Sequence, residues 1–187
     1  SSEQQRVETI RNLSRSTLSV EQKQASMSDL ACQMVVDLLW ESGIDQGPQS
    51  DFAFLMCGSV ARGESSTFSD IDAVLVLREG VRVSRYEDII YKMAMLIAHS
   101  GLAATGFRFC EGGLSPFQSI NNPALLGSSN YIIDMINEQL AIGVEGAVHL
   151  LGALHTKLIF GDKNLAYEYQ NLCTQQIDMN KAHTKAQ

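Results

Sequence analysis

Basic clusters are what this sequence most plainly lacks. Its 14 lysines and arginines face 21 aspartates and glutamates, for a net charge of −7, and none of the basic residues forms a run. A groove for long nucleic acid needs clustered Lys and Arg to replace the counterions of the phosphates, so the composition argues against a polymerase acting on long DNA. Also missing is any stretch of about 18 uninterrupted apolar residues, the length a membrane-spanning helix requires. Ser1 to Gln5 is polar and holds no signal-peptide core. The four cysteines, Cys32, Cys57, Cys110 and Cys173, are scattered without metal-ligand spacing. Three of them lie in apolar segments and read as reduced, buried thiols of a cytoplasmic protein. Internal repeats and low-complexity tracts are absent too. A start at Ser1-Ser2 suggests a cut from a longer chain, so a regulatory domain or partner protein is expected alongside it.

What is present is enough apolar material, 45% of 187 residues, for one sizeable core or an α/β lobe with a helical subdomain. The chain is organised around Phe52 to Leu77, which reads as strand, glycine turn, short helix and strand. Phe52 to Cys57 and Ala73 to Leu77 are apolar runs with the length of buried strands. Between them lie Gly58-Ser59 and Ser69-Asp70-Ile71-Asp72.

Side chains alternate faces along extended backbone, so Asp70 and Asp72 are expected on one face with Ile71 turned into the core. Two neighbouring carboxylates repel unless a cation separates them. Hard oxygen ligands with room for water suit Mg²⁺, or Mn²⁺, bound to a nucleotide polyphosphate. Gly58 permits a tight turn, and Ser59 stands at the start of the next helix, where free N–H groups favour an anion. Arg62, in the first turn after Ser59, is placed to reach a polyphosphate or to pair with Glu64 or Asp70. Glu64 either holds Arg62 or orients a water on the metal. Cys57 directly precedes this corner, but its apolar surroundings and the lack of a nearby His make it a core residue rather than a nucleophile.

The pattern Gly58-Ser59, Arg62-Gly63-Glu64, Ser69-Asp70-Ile71-Asp72 resembles the signature of DNA polymerase β-like nucleotidyltransferases. Within that superfamily it is similar to protein uridylyltransferases and to minimal nucleotidyltransferases paired with small helical proteins. More of the chain resembles the nucleotidyltransferases often appended to CBS sensor domains. These carry a helical segment before the motif and later a Cys-x-Gly-Gly loop and a Gly-Asp, here Cys110-Glu111-Gly112-Gly113 and Gly161-Asp162. The relatives also have an Asp-x-Arg pair where this chain has His155-Thr156-Lys157. The resemblance implies Asp70 and Asp72 as catalytic metal ligands, with Gly58, Ser59, Arg62, Glu64 and Ser69 around the nucleotide. It also implies a third acid from a neighbouring strand. Thr105 to Cys110 reads as that strand, with Phe107 and Phe109 on one face, but Arg108 occupies the acid's place. Either Glu111, just beyond, swings in as the third catalytic carboxylate, or the protein binds nucleotide without efficient transfer.

The remaining elements are helical. Arg6 to Ser16 carries Val7, Ile10 and Leu13 at helical spacing. Ser19-Val20-Glu21-Gln22 fits a capping box ahead of Leu30, Met34, Val35 and Leu38, with Gly43 as the stop. Ser84-Arg85-Tyr86-Glu87 fits a second box, opening a helix that runs to Gly101. Ser115 to Ser128 is irregular. Asn130 to Ile142 and Val144 to Leu154 read as helices, with His149 and His155 on them, and Asn164 to Met179 as a last amphipathic helix.

The expected architecture is α/β (α+β), a polymerase β-like fold with a small mixed sheet flanked by helices. Residues 1–48 would be packing helices, 49–127 the nucleotidyltransferase core and 128–187 a helical segment. The expected activity is metal-dependent transfer of an NMP group from an NTP to a hydroxyl of a protein or small molecule. The rival expectation is a nucleotide-binding signalling module.

Overall fold

The computed structural model describes residues 3–66, 70–105, 107–108, 141, 143 and 155–185. At its centre is β1 (Phe52–Met56), flanked on one side by β2 (Ala73–Leu77) and on the other by β3 (Lys157–Gly161). Both pairings are antiparallel. Phe54 faces Leu75 on β2 and Phe160 on β3, and the register with β3 shifts between Phe54 and Leu55.

β1 and β2 are apolar at every position because both faces of the sheet are covered. Phe52, Phe54, Met56, Leu75 and Leu77 enter the larger core, shared with α2 (Val20–Glu41) and α4 (Val83–His99). Ala53, Leu55, Val74 and Val76 turn the other way, onto Leu165, Ala166, Tyr169 and Cys173 of α5 (Lys163–Lys185). The two-residue period of a strand thus feeds two cores at once. Phe52 and Phe54, fully buried, each contribute about 1.5–3 kcal/mol to the larger core.

The expected capping box at Ser19 is formed. Gln22 N–H donates to Ser19 Oγ at 3.2 Å and Ser19 N–H donates to Gln22 Oε1 at 3.1 Å. Met27, Ala31, Met34, Val35 and Leu38 then line the buried side of α2, which stops where Gly43 takes a φ of 89°. α1 (Glu3–Arg15) lays Ile10 on that helix, and its buried Arg6 pairs with Glu41 at the far end of α2. At the second expected box the structure differs. α4 begins at Val83 with Arg82 as its cap residue and no side-chain cap bond, so Ser84 lies inside the first turn. Its stripe of Tyr86, Ile89, Ile90, Met93 and Ile97 is buried as expected.

The third strand of the sheet comes from Lys157–Gly161, a stretch read as part of the helical C-terminal segment. Thr105 instead closes a 3₁₀ turn, donating both its N–H and its hydroxyl to Leu102 O. Phe107 is buried and Arg108 exposed, as alternation requires, while Phe109 and Cys110 lie outside the described residues. His155 sits in an exposed bend rather than on a helix. The expected helices at 130–142 and 144–154 and the 115–128 loop fall outside the described residues, apart from Ala141 and Gly143.

Gly161-Asp162 has a structural role. Gly161 has a φ of 108°, and a Cβ there would meet Phe52 O at 2.3 Å. Only glycine lets β3 pack this closely on β1. Asp162 N–H then donates to Phe52 O at 2.7 Å, and Asp162 Oδ1 accepts from Leu165 N–H at 2.8 Å, capping α5.

Candidate active site

Where β1 ends, Cys57 N–H donates to Asp72 O at 2.8 Å, so the strand that delivers Gly58 is tied to the segment that delivers the aspartates. Gly58 has a φ of 61° and opens α3 (Gly58–Ala61), a single turn closed by Arg62 N–H on Gly58 O at 3.2 Å. Glu64 N–H on Ser59 O at 2.8 Å folds the chain back over that turn.

The approach of Asp72 to this corner decides the geometry. A Cβ on Gly58 would stand 2.9 Å from Asp72 Oδ2, so the carboxylate lies directly against the glycine. Glycine is required twice here, for its positive φ and for the space the carboxylate fills. On either side of Ile71, which is 1% exposed, Asp70 and Asp72 are each partly exposed, the alternation expected of them. Ile71 N–H donates to Arg108 O at 2.7 Å, which brings Arg108 alongside the aspartates. Its Nε lies 3.3 Å from Asp70 Oδ1. Arg62 Nε pairs with Glu64 Oε2 at 2.9 Å, and both of these side chains are well exposed.

Of the residues singled out in the sequence, Gly58, Ser59, Arg62, Glu64, Asp70 and Asp72 therefore lie around one corner. Ser69 and Glu111 lie outside the described residues, and with them the question of a third carboxylate. Cys57 is buried and caps α3. Burial first, then the charge of Asp72 and then Cys173, push its thiol far above the usual range, so it stays protonated. That environment suits a core residue and disfavours a nucleophile.

Residues 4–125, well over half of the chain, match the family described as Putative nucleotidyltransferase DUF294. The chain belongs to this family. No curated protein matches it. Its membership in the nucleotidyltransferase family accounts for the helices before the corner as well as the corner itself, because the match begins in α1.

Whether a divalent ion suits this family member's site turns on its donor set. Among the described residues no group of three or more His, Cys, Asp or Glu forms a metal cage. Mg²⁺ does not need one. It is commonly held by one or two carboxylates, with water and substrate phosphates completing its shell. Two partly exposed carboxylates beside a glycine corner fit that mode of binding.

One contact escaped the sequence reading. Ser28, in the middle of α2, accepts Ser65 N–H at 3.0 Å while its hydroxyl donates to Gln24 O. This bond ties the segment after Glu64 to the helix that backs the sheet. A serine facing a buried helix stripe is the available signal, but its partner lies 37 residues away. Beside this bond an open cleft of about 210 Å³ lies between α1, α2 and residues 65–66, with Leu13, Met27 and Lys23 among its walls.

Proposed function

We propose that this protein transfers a nucleotidyl group from an NTP to a hydroxyl on a protein or small molecule. The observation that supports the proposal is the Asp72 carboxylate resting on Gly58, so that the acid and the glycine turn lie close enough to share one ligand. Asp70 and Asp72 would hold Mg²⁺ or Mn²⁺. A divalent ion bound there would neutralise charge on the polyphosphate and favour ionisation of the acceptor hydroxyl. The Gly58-Ser59 backbone and the Ser59 hydroxyl would bind the β and γ phosphates, and the family resemblance adds Ser69 to the nucleotide-binding set. Arg62 would pair with the same phosphates, and Glu64, already its partner, would orient it. The acceptor oxygen forms a bond to the α-phosphorus while the bond to the bridging oxygen breaks. Pyrophosphate leaves, and Glu111 takes the hydroxyl proton. The acidic charge balance of the sequence suits a discrete protein or small-molecule acceptor better than nucleic acid.

A second reading is a nucleotide-binding regulatory module with weak or no transfer. It is favoured by Arg108, a cation standing at Asp70 on the segment where a third acid is sought. Calorimetry with ATP and UTP in Mg²⁺, followed by measurement of pyrophosphate release, separates the two readings. Binding with release supports transfer, and binding without release supports the module. The Asp70→Asn, Asp72→Asn double variant is expected to keep the wild-type circular dichroism and lose nucleotidyl transfer from α-labelled NTP. Undiminished labelling by that variant would refute the assignment of both aspartates.

A further inference from the structure

We infer that Arg108 is a tethered counter-ion for Asp70, which a divalent ion must displace on entering the site. The inference rests on the reading of Asp70 and Asp72 as metal ligands. Its basis is a pair of contacts made by one residue. Arg108 Nε lies 3.3 Å from Asp70 Oδ1, while its carbonyl accepts the N–H of Ile71, the residue between the two aspartates, at 2.7 Å. The backbone bond holds the Arg108 main chain beside the aspartates, so its guanidinium stays within reach of Asp70 and remains a local competitor for any other cation. The ion pair itself is open to water, with Arg108 58% and Asp70 40% exposed. Such pairs are weak and exchange readily.

Of the two described arginines at this corner, Arg108 pairs with Asp70 and Arg62 pairs with Glu64. Pairing withdraws a fraction of Asp70 from metal binding, and the apparent affinity for a free ion falls by that fraction. When a metal–triphosphate complex enters instead, the displaced guanidinium finds phosphate oxygens close by, and the penalty is returned. Arg108 thereby biases the site against a bare ion and toward an ion that arrives with its nucleotide.

The test is titration with Mn²⁺ alone, followed by electron paramagnetic resonance of the free ion, on wild type, Arg108→Gln and Arg62→Gln. Arg108→Gln is expected to bind Mn²⁺ about two- to five-fold more tightly, the usual worth of one exposed ion pair. Arg62→Gln removes the same charge without touching Asp70 and should gain less. The Asp70→Asn, Arg108→Gln double variant should lose the gain. Unchanged or weaker binding by Arg108→Gln, or an equal gain by Arg62→Gln, overturns the inference while leaving the metal site standing. If neither wild type nor Arg108→Gln binds Mn²⁺, the reading of the aspartates falls and the inference with it. Matching thermal melts exclude misfolding as the cause of any difference.

Discussion

Replacing Gly161 by alanine tests how β3 is held to the sheet. An L-residue at positive φ costs about 1–2 kcal/mol, and Gly161 sits at 108°. The new methyl would also overlap Phe52 O at 2.3 Å and Ala53 Cα at 2.9 Å, both backbone atoms of the central strand that cannot rotate away. Moving β3 aside would break the Asp162 N–H bond to Phe52 O, worth about 0.5–1.5 kcal/mol. It would also disturb the Asp162 cap on α5, worth about 0.5–2 kcal/mol. The total is about 2–5 kcal/mol, a large part of the roughly 5–15 kcal/mol that holds a domain folded. Gly80 is the control, since it has a φ of 83° and nothing within 4 Å of a Cβ. Gly80→Ala should lose only the backbone cost of about 1–2 kcal/mol. Urea unfolding followed by circular dichroism measures both, provided the slope with urea is unchanged. A Gly161→Ala variant no less stable than Gly80→Ala would refute the claim that close approach, rather than φ alone, demands glycine here.

Two further outcomes are expected. Ser19→Ala removes the hydroxyl that accepts Gln22 N–H, leaving only the bond from the residue-19 backbone N–H to Gln22 Oε1, and should cost about 0.5–2 kcal/mol by urea unfolding. Burial raises the Cys173 thiol from its ordinary 9.0 to about 11, partly offset by a hydrogen bond with Tyr169. The native thiol keeps its proton where the unfolded chain gives it up, so this contribution to stability is intact below pH 9 and is lost as the pH rises toward 11. The urea midpoint should therefore fall across that window, and less steeply in Cys173→Ala, at no more than about 1.4 kcal/mol per pH unit for one thiol.

The parts of the fold legible in the sequence are those whose signals are local. Phe52 to Met56 and Ala73 to Leu77 are unbroken apolar runs because two cores cover them, and Ser19 stands three residues before the Gln22 that completes its box. Ser84 and Glu87 have the same spacing without the same outcome, since α4 had already begun at Val83 and a serine within the first turn cannot act as the cap residue. Lys157–Gly161 escaped because an edge strand is covered less completely. Its lysine is exposed and its remaining residues only partly buried, which leaves too short an apolar run to stand out from neighbouring helical patterns. At the site, the Asp-Ile-Asp alternation and the glycine turn were readable, being properties of spacing. The ion pair of Arg108 with Asp70 joins residues 38 apart, and the sequence supplied only the observation that an arginine stood where an acid was sought.

The sheet is completed from far downstream. The family match ends at residue 125, yet the strand that closes one side of β1 and the helix that roofs one face begin at Lys157 and Lys163. A fragment trimmed to the matched region would bare Ala53, Leu55, Val74 and Val76 and leave β1 with a free hydrogen-bonding margin. An unguarded margin of that kind is a template for strand addition between molecules. Because the glycine corner hangs from the end of that same strand, the region proposed to carry the chemistry cannot be separated from the tail that keeps it dry.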